Sequence, residues 1–221
     1  MNFLKNWLEN HISLQDKRSD LGERENSISH LVGSVGAFLF MIIVSVRFNS
    51  YSLNTFIGLL IYGFSLLLLY SSSAVYHHLK SGNKKRVARL LDHVNIYILI
   101  AGTYTPLLMS VNNNNGSIFL ATVWATAFIG IVLKIIFWGR YRILHVVFYL
   151  LMGWMIIFFW DGVVPFLDRR LLYYVIGAGL TYSFGVIFYA LKNLKHSHLI
   201  WHIFCLIASS IFSIGFLLYL N

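Results

Sequence analysis

One cysteine, two prolines and eight acidic residues in 221 positions remove several function classes before any motif is read. Cys205 stands alone inside an apolar stretch, so both a disulfide framework and a thiolate metal site are out of reach. Any metal has to be held by histidine and carboxylate. Charged residues make up 11% of the chain, against about a quarter in soluble domains, so a water-exposed globular surface is excluded as well. No Gly-x-Ser-x-Gly nucleophile elbow occurs, which removes the commonest serine-hydrolase signature. The segment 1–30 carries Glu9, Asp16, Asp20, Glu23 and Glu25 among its basic residues, and so lacks the order of a cleavable signal.

What remains is 58% hydrophobic and 17% aromatic, the composition of an integral membrane protein. Near-continuous apolar stretches lie near 31–48, 54–76, 92–110, 117–137, 143–160, 171–191 and 199–219. Each approaches the roughly 20 residues that span a bilayer as a helix. None alternates, so a β-barrel is excluded. The expected architecture is all-α: a polytopic, seven-helix transmembrane bundle over 31–221, preceded by a cytoplasmic lead-in over 1–30. The third span is the most polar, opening on Asp92, His93 and Asn95. Asn112–Asn115 reads as a polar turn with no function of its own. Gly33, Gly36, Gly177 and Gly179 read as points of close helix approach. Pro106 is expected to kink the third helix, with Thr103 and Thr105 satisfying the carbonyls it frees.

The net charge of +9 would suit a nucleic-acid partner in a soluble chain, but in a membrane protein the position of each cation matters more than the total. No nucleic-acid partner is expected. With the N-terminus inside, fourteen of the 17 Lys and Arg residues fall in cytoplasmic segments, among them Lys17, Arg18, Lys80, Lys84, Lys85, Arg86, Lys134, Lys192 and Lys195. Only Arg47, Arg169 and Arg170 fall outside. The cation bias therefore predicts a cytoplasmic N-terminus and an external C-terminus.

That orientation brings polar residues from four places in the chain to one depth. His198 and His202 are four apart, hence on one helical face. His77 ends the second span, Ser73 lies one turn deeper on the same face, and Asp92 opens the third. Three neutral imidazoles with one open position are the ligand pattern of catalytic zinc, whereas structural sites tend to be closed by four ligands, often thiolates. The candidate metal ligands are therefore His77, His198 and His202. Asp92 and Ser73 are the candidate catalytic residues, Asp92 as proton acceptor for a zinc-activated water and Ser73 as hydrogen-bond donor or relay. Direct ligation by Asp92 and action through water both remain open. His30, His145 and His196 read as interfacial residues. His78 and His93 point about a hundred degrees away from their cluster neighbours, which leaves them at most an outer role. Glu25, at the same level, is either solvated or an acceptor for a histidine N–H.

Four stretches together resemble a known family: Glu25-Asn26-Ser-Ile-Ser-His30, Ser72-Ser-Ala-Val-Tyr-His77, the run from Asp92 through Ala-Gly-Thr-Tyr-Thr-Pro106, and His198-Leu-Ile-Trp-His202. They resemble hemolysin III proteins, a bacterial branch similar to the progestin and adiponectin receptor family, within a membrane-hydrolase superfamily that includes alkaline ceramidases. The resemblance implies zinc on His77, His198 and His202, with Asp92 and Ser73 beside it, in a multi-pass protein of the bacterial cell membrane. It also implies a membrane lipid as substrate, cleaved at an amide or acyl bond. The other expectations are a pore-forming cytolysin and a receptor or membrane-homeostasis sensor with structural zinc.

Overall fold

The computed structural model describes residues 2–14, 20–111, 113–191 and 193–220. Asp16, Lys17, Arg18, Asn112 and Lys192 lie outside the described residues. Within the described residues the regular structure is entirely helical, in the order α1 (Asn2–His11), α2 (Asp20–Val46), α3 (Leu53–His78), α4 (Asn83–Ser110), α5 (Asn114–Ile136), α6 (Arg142–Gly153), α7 (Trp160–Val163), α8 (Arg169–Ala190) and α9 (Ser197–Tyr219). Two short 3₁₀ stretches, Met155–Phe159 and Val164–Phe166, flank α7. With them, Ile143–Phe166 makes a single apolar crossing unit.

Among the described residues six helical segments are long and apolar enough to cross a bilayer: Leu21–Val46, Leu53–His78, Asn114–Ile136, Ile143–Phe166, Arg169–Ala190 and Ser197–Tyr219. The chain is an all-α polytopic membrane protein. Lipid-facing positions carry the apolar surface; on α2 alone Phe38, Leu39, Ile42 and Ile43 are exposed, where a soluble protein would show charge. The third of the seven expected spans, α4, has the length but not the apolarity. One of its polar side chains is turned against α3 instead. Asn95 is buried and donates from Nδ2 to the Leu68 carbonyl and to Ser72 Oγ.

Helix ends are closed by side chains the sequence supplies at the right offsets. Ser52 accepts from Thr55 N to start α3, and Asp168 accepts from Arg170 N to start α8, each relieving one of the orphan donors of a first turn. The same Arg170 side chain also hydrogen-bonds Asp168 and holds its carboxyl down at about 2. Asn113 caps α5 through Gly116 N and donates to the Gly162 carbonyl. Asn113 is thus both a helix start and an inter-loop tie within this turn.

Two further expectations are corrected. Pro106 removes the amide partner of the Gly102 carbonyl, four residues back. Thr103 and Thr105 bond instead to the Leu99 and Ala101 carbonyls, since a threonine hydroxyl reaches the carbonyl four residues before its own position. Of the four glycines expected at close approaches, Gly33 fits, because an added Cβ would stand 2.7 Å from Tyr70 and Leu206 atoms. Gly36 and Gly177 face open space, and Gly179 makes only ordinary contact.

The tightest backbone approach is at Gly58, where a Cβ would meet Pro106 Cα at 2.7 Å. This contact sets the spacing of α3 and α4, the helices that bear His77 and Asp92. Gly58→Val is expected to destabilise the bundle by about 1–3 kcal/mol, the usual cost of overpacking, because the obstructing atom is backbone and cannot rotate away. Thermal unfolding in detergent checks this, with Gly36→Val as the harmless control.

The core also ties α9 to its neighbours through hydroxyls. Tyr70 of α3 and Tyr182 of α8 each hydrogen-bond Ser209 Oγ at 2.6 Å, and Tyr62 donates to the Ser209 carbonyl at 3.0 Å. A buried polar network with its members paired holds one arrangement rather than several. It fixes the rotation of α9, and with it the direction of the two histidines at the helix start.

Candidate metal centre

The end of α3 and the start of α9 meet at one edge of the bundle. His77 and His202 are each 2% exposed, and His198 is half-buried at the rim. One ligand atom from each of His77, His198 and His202 lies within 4.8 Å of the others. His77 Nε2 and His198 Nε2 are 3.2 Å apart. The helical spacing argument for His198 and His202 therefore holds, and His77 joins them across the helix interface.

The outer nitrogens of His77 and His202 define which atom of these two rings is available. His77 Nδ1 lies 3.2 Å from Glu23 Oε2, a carboxylate, so Nδ1 carries the proton and donates. His202 Nδ1 lies 3.3 Å from the Asn26 carbonyl and 3.0 Å from Ser29 Oγ. A carbonyl only accepts, so here too Nδ1 is the donor. Both rings are left with a bare Nε2, the form in which a neutral histidine binds a metal. Metal-ligating histidines characteristically give their second N–H to a carboxylate or a carbonyl, and both patterns occur here side by side. An all-imidazole donor set without thiolate suits a divalent ion of borderline softness.

The remaining candidates divide. Ser73 is 1% exposed, one turn from His77, and its Oγ has no hydrogen-bond partner, so its hydroxyl is available to whatever occupies the site. Asp92 is not among the residues whose donor atoms come together. Its side chain is 15% exposed, with Oδ2 3.6 Å from His93 Nδ1. Asp92 stands on α4, which packs against α3, the helix that carries His77.

The other histidines take different places. His78 is exposed, and His93 bonds the Arg89 carbonyl of its own helix; neither touches the triad. His196 is exposed and pairs with Glu25 at 3.1 Å, so Glu25 does accept from a histidine, though not from a ligand. His145, expected at the interface, is buried against the Tyr97 hydroxyl at 3.1 Å. The larger correction is His30. It is 4% exposed, stacks on His202 with ring centroids 3.5 Å apart, and has neither ring nitrogen hydrogen-bonded. A residue expected at the interface is in fact a wall of the site.

Sequence reasoning does not single out Glu23, although a signal for it is present. Glu23, Asn26 and His30 stand at i, i+3 and i+7, one continuous helical face. Because α2 extends back to Asp20, that face is helical and packs on the triad; an apolar stretch counted only from residue 31 hides it.

Residues 21–213 match the family described as Haemolysin-III related. The chain is 37% identical over 188 residues to the "Hemolysin-3 homolog" of Bacillus subtilis (strain 168), an alignment covering 83% of this chain and 87% of that protein. It is 33% identical over 186 residues to "Hemolysin-3" of Bacillus cereus, covering 83% and 85%.

Proposed function

The chain belongs to the Haemolysin-III-related family, and from that premise we propose that it is a zinc-dependent hydrolase cleaving an amide or acyl bond of a membrane lipid. It is a multi-pass protein of the bacterial cell membrane. The observation that carries the proposal is the pair of fixed tautomers: His77 and His202 both present a bare Nε2 beside His198. Structural metal sites are usually closed by a fourth protein ligand, and among the described residues the ligand group has three members.

In this reading His77, His198 and His202 hold zinc. When bound, the metal acts as a Lewis acid that brings the pKa of water down to about 7. Asp92 would take the proton from the attacking water on its carboxylate and return it to the leaving amine or alcohol as the carbonyl carbon's bond to that group breaks, while the Ser73 hydroxyl would donate to the developing charge at the scissile carbonyl. The half-buried His198 marks the open side from which substrate approaches. The site lies at the mouth of the bundle, so a lipid reaches it with its chains still in the bilayer, and a soluble substrate would have no need of such a location.

The same reading places the site at the cytoplasmic leaflet, with α4 as a seventh crossing. Lys80, Lys84, Lys85 and Arg86 border the turn between α3 and α4 beside the triad. At the other end Arg47 donates to the Leu217 carbonyl and Arg170 stacks on Tyr219. Cations accumulate on the cytoplasmic side, which supports an internal N-terminus.

Purified protein is expected to carry about one zinc per chain and to release fatty acid from a long-chain ceramide or acyl lipid in mixed micelles. Chelation abolishes the release and added zinc restores it. Release indifferent to chelation would overturn the proposal. A second reading, membrane lysis, is favoured by the name hemolysin that both relatives bear. It predicts leakage from dye-loaded vesicles that chelation leaves unchanged. A structural metal would instead show as a fall in melting temperature on chelation with no turnover to lose.

A further inference from the structure

Beyond the three ligands, the structure assigns Glu23 as the positioning residue of the metal centre: its carboxylate fixes the tautomer and orientation of His77 and is itself fixed by Lys85. The inference deepens the metal reading above and rests on it.

Three contacts carry it. Glu23 Oε2 lies 3.2 Å from His77 Nδ1 and 3.2 Å from Lys85 Nζ. Lys85 Nζ also donates to the Leu79 carbonyl at 2.8 Å, beyond the last turn of α3, and sits over the Tyr76 ring at 5.1 Å. Lysine, carboxylate and imidazole thus form a line drawn from α4, α2 and α3. The His77 side chain is fully shielded, while those of Glu23 and Lys85 are 21% and 12% exposed. A carboxylate so placed has its position fixed twice, once by each partner.

His77 and His202 differ in what their outer N–H groups meet. His202 gives its outer N–H to neutral groups, the Asn26 carbonyl and Ser29 hydroxyl. His77 gives its own to a charged acceptor. Charge-assisted hydrogen bonds are shorter and about twice as strong as neutral ones, and a carboxylate on the outer nitrogen raises the basicity of the ligating one. His77 is therefore a stronger donor than His202, and α2, which supplies none of the three ligands, governs it. The same turn of α2 holds a second carboxylate, Glu25, whose partner is the exposed His196, so it serves as an internal control of equal charge on the same helix.

The test is metal affinity of the full-length chain in detergent, measured with zinc by chelator competition and with cobalt(II) by its visible spectrum. Glu23→Ala is expected to weaken zinc binding roughly 10- to 100-fold and to shift the cobalt spectrum. Glu23→Gln, which keeps an acceptor without the charge, is expected to fall between. Lys85→Met breaks the ion pair but leaves the bond to His77, so it changes affinity far less than Glu23→Ala, and Glu25→Ala leaves it unchanged. Were Glu23 merely a tie between α2 and α4, Glu23→Ala and Lys85→Met would lower the melting temperature alike and neither would move the cobalt spectrum; that result overturns the assignment. Should Glu23→Ala fail to fold, Glu23→Gln with wild-type affinity and spectrum overturns it equally. A wild-type chain that binds neither zinc nor cobalt sinks the metal reading itself, a pattern distinct from loss confined to Glu23 variants.

Discussion

Replacing His202 with alanine is expected to empty the metal site, taking bound zinc from about one per chain to a small fraction of that, and to abolish lipid hydrolysis with it. Three neutral imidazoles are already the minimum set for a catalytic zinc centre. Removing one leaves two nitrogens, and no further histidine, cysteine or carboxylate joins the group among the described residues. His202 is also the ring on which His30 stacks, so the substitution opens space that no neighbour fills. Part of any loss of function could then reflect packing, since truncating a large buried ring costs about 3–5 kcal/mol. His198→Ala separates the two effects. His198 is half-buried at the rim, so its removal leaves a smaller cavity while deleting a ligand just the same. Both variants should lose zinc, but only His202→Ala should lose much thermal stability beyond what chelation takes from the wild type. Elemental analysis of the purified variants decides the matter. Zinc retained at wild-type stoichiometry in both would end the three-histidine assignment.

Asp92→Asn should behave in the opposite way, keeping the metal and losing the chemistry. The carboxylate lies outside the group of converging donor atoms, on the helix that packs against the one bearing His77. Asparagine has nearly the same shape and cannot take a proton. General-base catalysis contributes typically 10²- to 10⁴-fold, so turnover is expected to fall by about that factor at unchanged zinc content. This also resolves how Asp92 acts. Zinc lost together with turnover would make Asp92 a direct ligand, whereas zinc retained makes it a partner of water. Unchanged turnover would remove Asp92 from the mechanism. The contrast between this variant and the histidine variants is sharper than either alone, because one dissociates binding from catalysis and the other removes both.

Much of the site is legible in the sequence. His198 and His202 follow from the 3.6-residue period of a helix, and Ser73 and His77 from the same rule. His77 joins them by the depth argument, which needs only the distribution of Lys and Arg. His30 and Glu23 are not reached in this way. A histidine at the edge of an apolar stretch looks identical whether it faces lipid headgroups or another ring, since the distinction lies on the neighbouring helix. Glu23 and Glu25 are two residues apart and so point about 200° from each other on a helix; composition cannot say which one faces His77. The four glycines show the same limit. Gly33 and Gly36 look equivalent in sequence, yet one faces Tyr70 and the other open space.

The sequence by itself determined that this chain lives in a membrane, that it crosses as helices, that it carries no thiolate site, and that two histidines share a face. Each of these is a local or compositional property, set by hydrophobicity and by the pitch of one helix. Only the tertiary structure decided which nitrogen of His77 and of His202 is bare, that His30 stacks on His202, and that Glu23 rather than Glu25 holds His77. Those facts depend on the rotation of α2, α3 and α9 about their own axes. That rotation is fixed by contacts far apart in the chain, such as the Tyr70 and Tyr182 hydroxyls on Ser209, and no single stretch of sequence contains it.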